Sequence, residues 1–144
     1  MNMLSDGIKS VYEYEVQWGD CDAADIVYYP NYYRWFDNAS HHLFSSVGLG
    51  FSELREQFNS IGFPLVGAKA DFLRPSRIAD KLSIESTVSS ISRKTLLIEH
   101  VIRSDNQEVV RGEETRILGV IGDSGQLQAA VIPNKIRTRL CFNG

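Results

Sequence analysis

The spacing of apolar and polar positions changes once along this chain, and the change divides it. Over residues 11–18, valines and tyrosines alternate with charged or polar residues, a period of two that predicts a strand. Residues 19–25 are acidic and turn-forming. From Asn31 the period lengthens: Tyr32, Phe36, Ala39, Leu43 and Val47 fall four, three, four and four apart. That spacing draws one apolar stripe down a helix. Gly48 follows it as a C′ terminator. Residues 51–59 predict a second, short helix capped by Ser52, with Glu53 and Glu56 in its first turn. Beyond it, residues 64–73, 81–91, 95–103 and 109–121 are rich in β-branched residues and alternate with period two, which predicts strands. Gly122, Asp123, Ser124 and Gly125 signal a turn. Pro133 opens a short terminal helix or an extended tail.

The order is therefore one strand, one long helix, then four or more antiparallel strands. Segregated elements of this kind indicate the α+β class and not βαβ alternation. A single aromatic-rich helix covers one face of one antiparallel sheet, which is the hotdog arrangement in outline; periodicity alone admits other α+β folds. With no repeat, low-complexity stretch or Gly/Ser linker, residues 1–144 are expected to form a single domain.

Composition narrows the function classes. A chain of 144 residues is long enough to bury a core without staples. A formal net charge of -3 gives no face-wide excess of Lys and Arg, so a nucleic-acid binder is not expected. A polyanionic ligand would need local basic clusters. Cys21 and Cys141 are the only cysteines, too far apart in sequence and with no CxxC pair to suggest a disulfide framework or zinc site. Residues 1–7 lack the apolar core of a signal peptide. No apolar run approaches the ~20 residues of a membrane span. The expectation is a cytoplasmic protein with no metal, no membrane and no nucleic-acid partner.

The chemistry concentrates between Trp18 and Ser40. Asp20, Asp22 and Asp25 lie in a loop between a strand and the long helix. A helix N-terminus offers unpaired N–H groups and a positive dipole end. A carboxylate near such donors can attack a carbonyl or activate water while the N–H groups hold the developing oxyanion. The plain alternative is an acidic loop that only caps the helix.

The motif in this stretch runs Gly19, Asp20, Cys21, Asp22, then Ile26 and Val27, then Tyr29, Pro30, Asn31 and Tyr32, then Arg34, Trp35 and Asp37. It resembles the signature of the 4-hydroxybenzoyl-CoA thioesterases, hotdog-fold enzymes, and weaker similarity continues through most of the chain. The resemblance implies hydrolysis of an aromatic acyl-CoA to the free acid and coenzyme A, with no further cofactor. It implies Asp22 as the catalytic carboxylate and the Tyr29 backbone N–H as the group polarising the thioester carbonyl. Asp37 would meet the substrate's 4-hydroxyl; Asp20 resembles a supporting residue of the loop with its role open, and it and Tyr28 are grouped with Asp37 as candidate substrate-binding residues. A site built to bond a hydroxyl discriminates strongly against analogues lacking it. Taken alone, Asp37 is equally a helix acid paired with His41 at i+4. Two positions depart from the family pattern: Ala23 replaces a proline, and Asp25 replaces a glycine. Aspartate tolerates the left-handed region better than most residues, so the loop is expected to survive.

Ser92, Arg93, Lys94 and Thr95 lie at a junction of two strands and resemble the family's Arg-Lys-Ser turn, which implies phosphate contact from Arg93, Lys94 and Thr95. Arg and Lys suit phosphate, the first as a fork and the second as a point charge. The resemblance further implies a homodimer or homotetramer with sites at subunit interfaces. Three rivals are weighed: a thioesterase for aliphatic acyl-CoA or acyl-carrier-protein substrates, a non-catalytic acyl-CoA-binding protein, and a dehydratase using His41 or His42.

Overall fold

The computed structural model describes residues 2–3 and 7–141. In chain order its elements are β1 (Asn2–Met3), β2 (Lys9–Glu15), a 3-10 turn (Trp18–Asp20), α1 (Pro30–Ser46), α2 (Phe51–Phe58), β3 (Leu65–Phe72), β4 (Lys81–Ile91), β5 (Thr95–Ser104), β6 (Gln107–Ile121), β7 (Leu127–Ala130) and α3 (Asn134–Leu140). Every strand pairing is antiparallel. β5 is central, with β4 and β6 on either side. β2 and the short β1 line the outer edge of β4, and β3 lines the outer edge of β6. β7 folds back on the last residues of β6, just past the point where β5 begins.

α1 starts with Pro30 at its first position, where the missing N–H costs nothing. It ends at Val47, and Gly48 takes φ +72, the left-handed turn that only glycine adopts without strain. The stripe drawn from sequence is the buried face. At its N-terminal half Tyr32, Trp35 and Phe36 pack with Leu82, Ile84 and Ile102. At its C-terminal half Leu43 and Phe44 pack with Val88, Ile91, Leu96 and Ile98. Each such side chain contributes about 1.5–3 kcal/mol on leaving water. Phe36 presses so close to the sheet that a Cβ at Gly112 would overlap its ring.

Three expectations are corrected locally. The first strand ends at Glu15 and not Trp18; Trp18 opens a 3-10 turn and is exposed, because the Asp20 carboxylate takes the Gln17 N–H and draws the chain out of the sheet. α2 begins at Phe51 with Gly50 in extended backbone as its cap, so Ser52 lies inside the first turn and caps nothing. β5 and β6 extend further than predicted, to a tight turn in which Asp105 (φ 50) and Asn106 (φ 61) both adopt left-handed backbone. The tail after Pro133 is helical. Residues 1–7 lie largely outside the described residues. Among the described residues, no helix is long and apolar enough to cross a membrane.

Candidate active site

The segment from Glu15 to Pro30 is a small hairpin standing on one buried carboxylate. Asp20 is 5% exposed. Its Oδ2 accepts the Tyr14 hydroxyl at 2.6 Å and the Gln17 N–H at 2.8 Å, and its Oδ1 meets Arg34 at 3.2 Å. Its carbonyl accepts Tyr28 N–H and the Asn31 side-chain amide. Asp20 is thus fully engaged in holding strand, loop and helix start together. Burial first, then the hydrogen bond to Asp20, pushes the Tyr14 hydroxyl up to about 12, so it remains a donor.

From that base Cys21 and Val27 bridge, and residues 22–26 form the tip. Asp22 is exposed. Its Oδ1 accepts Ala24 N–H at 2.9 Å, and its Oδ2 has no protein partner among the described residues. Asp25 sits at φ 62, so the position where the family pattern has glycine keeps the left-handed backbone with aspartate. The Cys21 thiol is pushed up by burial and then by Asp20, Asp22 and Asp25, which disfavours the thiolate a nucleophile needs.

Tyr29 caps α1. Pro30 has no N–H, and the next amides are taken: Asn31 N–H by Tyr28 and Tyr32 N–H by Tyr29. Among the described residues nothing accepts the Tyr29 N–H, which leaves one free donor at the positive end of the helix. Tyr28 and Tyr29 are both more than half exposed and meet edge to face. Beside them lies a cleft of about 220 Å³ lined by Val27, Tyr29, Tyr32, Phe72, Leu73 and Pro75. Phe72 faces both Tyr29 and Tyr32, so the walls are aromatic.

Asp37 is not in that group. Eight residues of helix separate it from Tyr29, a rise of roughly 12 Å at 1.5 Å per residue. It is half exposed and pairs with His41 at 3.3 Å, the i+4 alternative foreseen for it. It also takes a 2.7 Å hydrogen bond from Arg116, which is 2% exposed. Arg116 rests on Glu114, and Glu114 on His100. Burial alone would raise the Glu114 carboxyl, but hydrogen bonds from His100 and Arg116, with their charge, bring it down to about 2. None of these three residues carries the family motif. The signal in the sequence is their register: His100 falls between Ile98 and Ile102, and Glu114 and Arg116 precede Leu118, at inward positions of alternating strands. Charges on a buried face must have partners.

Arg93 and Lys94 project from the β4–β5 turn and are exposed, while Thr95 is half-buried and its hydroxyl is engaged by Ser92. Val16 hydrogen-bonds at Asp80, so the Asp22 loop lies at the opposite end of β4. The ten steps of ~3.3 Å along the 11 residues of β4 put the turn roughly 33 Å away within one chain. Among the described residues no group of three or more His, Cys, Asp or Glu is gathered to hold a metal ion.

One helix laid over an antiparallel sheet, with a carboxylate loop at the helix start, is the arrangement of the hotdog thioesterases, and the comparisons with known proteins place the chain among them. The chain belongs to the thioesterase-like superfamily, whose pattern matches residues 16–140. It is 32% identical over 124 residues to the 4-hydroxybenzoyl-CoA thioesterase of Pseudomonas sp. strain CBS-3, covering 82% of this chain and 87% of that one. It is 29% identical to the 1,4-dihydroxy-2-naphthoyl-CoA hydrolase of Synechococcus sp. strain WH7803, over 68% of each. Among solved structures, an aspartate-to-asparagine variant of 4-hydroxybenzoyl-CoA thioesterase complexed with 4-hydroxybenzoyl-CoA superposes with a TM-score of 0.86. Its identity is 28%, with 92% of this chain and 98% of that chain covered. A gentisyl-coenzyme A thioesterase superposes at 0.77 with 33% identity, covering 91% and 98%.

Proposed function

We propose that this thioesterase acts on an aromatic acyl-CoA, 4-hydroxybenzoyl-CoA, releasing 4-hydroxybenzoate and coenzyme A. The observation that supports this reading is the loop itself. An exposed Asp22 with one free oxygen stands in the loop that leads to the unpaired Tyr29 N–H at the helix start, and Tyr29 lines a cleft whose walls are largely aromatic. Relatives acting on hydroxylated aryl thioesters agree with it. Asp22 either attacks the thioester carbonyl carbon, forming a mixed anhydride that water opens, or takes a proton from the water that attacks. In both routes the Tyr29 N–H donates to the carbonyl oxygen as its charge grows, and the coenzyme A thiolate leaves. Coenzyme A enters as part of the substrate and no cofactor is required.

Within one chain, the basic turn lies at the opposite end of β4 from the Asp22 loop. The site is assembled in this reading from two copies, one supplying Asp22 and Tyr29, the other the phosphate contacts of Arg93 and Lys94. β3 offers the edge for such pairing: its outer side carries no strand among the described residues, and Leu65, Val66 and Phe72 are exposed along it. The setting is the cytoplasm, which holds acyl-CoA and leaves Cys21 and Cys141 as free thiols.

The test is kcat/KM over 4-hydroxybenzoyl-, 3-hydroxybenzoyl-, benzoyl-, acetyl- and hexanoyl-CoA, with Asp22→Asn beside the wild type. The 4-hydroxy compound should lead, and Asp22→Asn should lower kcat by roughly 10²–10⁴ while remaining folded. An aliphatic optimum would overturn the aryl substrate, and near-normal turnover by Asp22→Asn would take that carboxylate out of the mechanism.

A further inference from the structure

Beneath α1 runs a line of buried polar groups that the hydrolysis itself does not use. Ser86 Oγ meets His100 Nδ1 at 2.7 Å, and His100 Nε2 meets Glu114 Oε1 at 2.9 Å. An ionised carboxylate only accepts, so Nε2 carries the proton. The His100 ring stacks on Phe36 at 4.7 Å and 8°, and Ser40 closes the same corner with a hydrogen bond to Glu114. Glu114 in turn grips Arg116 twice, at 2.9 Å through Nη2 and 3.2 Å through Nε. Arg116 Nη1 donates to the Phe63 carbonyl at 2.8 Å. His100, Glu114 and Arg116 are 1%, 2% and 2% exposed.

Such a cluster is a poor way to gain stability, since apolar side chains of similar volume do as well or better. What the line does reach is the surface at one point. Arg116 Nη2 donates to Asp37 Oδ1, the same oxygen that faces His41. Among the described residues Asp37 Oδ2 has no protein partner. A half-exposed aspartate on a helix would otherwise turn freely about its side-chain bonds. Here a planar guanidinium, itself fixed at three of its nitrogens, holds one oxygen and presents the other.

We propose that Arg116 is a positioning residue, locked by Glu114 and His100, which aims the free oxygen of Asp37 at the hydroxyl of a bound aryl thioester and so sets the preference for hydroxylated acyl groups. This rests on the aryl-thioester reading above. A lysine at the same place keeps the charge but is a point donor on a flexible stem, unable to span both carboxylates.

The experiment measures the ratio of kcat/KM for 4-hydroxybenzoyl-CoA to that for benzoyl-CoA in the wild type, Asp37→Ala, Arg116→Lys and Glu114→Gln. The wild type should favour the hydroxylated substrate and Asp37→Ala should abolish the preference. Arg116→Lys should lower the ratio about tenfold, the scale of one hydrogen bond to a charged group, mainly through KM. Glu114→Gln, nearly isosteric, should lower it in the same direction, which keeps the test open should Arg116→Lys fold poorly. A wild-type preference lost in Asp37→Ala but intact in both other variants overturns the inference alone. Equal falls on both substrates, leaving the ratio unchanged, overturn it too and reduce Arg116 to a structural role. A wild type with no hydroxyl preference overturns the aryl reading and the inference with it.

Discussion

Asp20 and Asp22 stand two positions apart in one acidic loop, and their surroundings give them opposite work. Asp20 is buried with both oxygens engaged, so it holds the loop. Asp22 reaches solvent with one oxygen free, and it is the carboxylate to which the proposed hydrolysis assigns the chemistry. Glu114 is a third case, buried and held ionised. Its carboxyl lies at about 2 against an ordinary 4.5, because the hydrogen bonds and charge of His100 and Arg116 outweigh its burial. A depressed carboxyl contributes stability that is fully present above its unfolded value and is lost as the pH falls through its folded one. The urea-unfolding free energy should therefore decline as the pH drops from about 4.5 towards 2. Glu114→Gln should be less stable at neutral pH yet show a shallower decline over the same range. An identical slope in wild type and variant would count against this account of Glu114.

At the scale of elements, the fit of α1 to the sheet depends on Gly112. A methyl group there would overlap the Phe36 ring and meet the Lys69 carbonyl, itself backbone and unable to move aside. Gly112→Ala should cost about 1–3 kcal/mol by forcing Phe36 off its rotamer, read as a lowered urea midpoint with unchanged m. An unchanged midpoint would mean that the helix shifts without penalty. The helix itself was legible: the stripe from Tyr32 to Leu43 is its buried face, since burial on a sheet imposes a 3.6 period on sequence. β4 was equally legible, its predicted limits of 81 and 91 being those observed. The 3-10 turn at Trp18 was not, because it depends on a side-chain bond from Asp20 to Gln17, which leaves no periodicity. β7 was missed for a similar reason: four residues are too few to establish an alternation.

For the whole molecule, the spread of its functional groups makes the strongest demand. The basic turn and the Asp22 loop occupy opposite ends of β4, and Asp37 sits two helical turns from Tyr29. The proposed use of the basic turn and the Asp22 loop on one thioester calls for a second copy. Sedimentation should show a dimer or a larger even assembly at assay concentrations. A monomer with full aryl-thioesterase activity would refute the two-copy site.

The sequence by itself determined the class of this protein. Its periods specify a helix over an antiparallel sheet, and the motif between Gly19 and Asp37 resembles that of the 4-hydroxybenzoyl-CoA thioesterases; both are local properties written in nearby residues. Only the tertiary structure separated Asp20 from Asp22, because exposure and hydrogen-bond partners come from distant elements: Tyr14 on β2 and Arg34 on α1. Only the tertiary structure joined Asp37 to Arg116, 79 residues away. Strands and helices announce themselves by repetition, whereas a buried polar contact is a single event between remote positions, brought about by the packing of the whole chain.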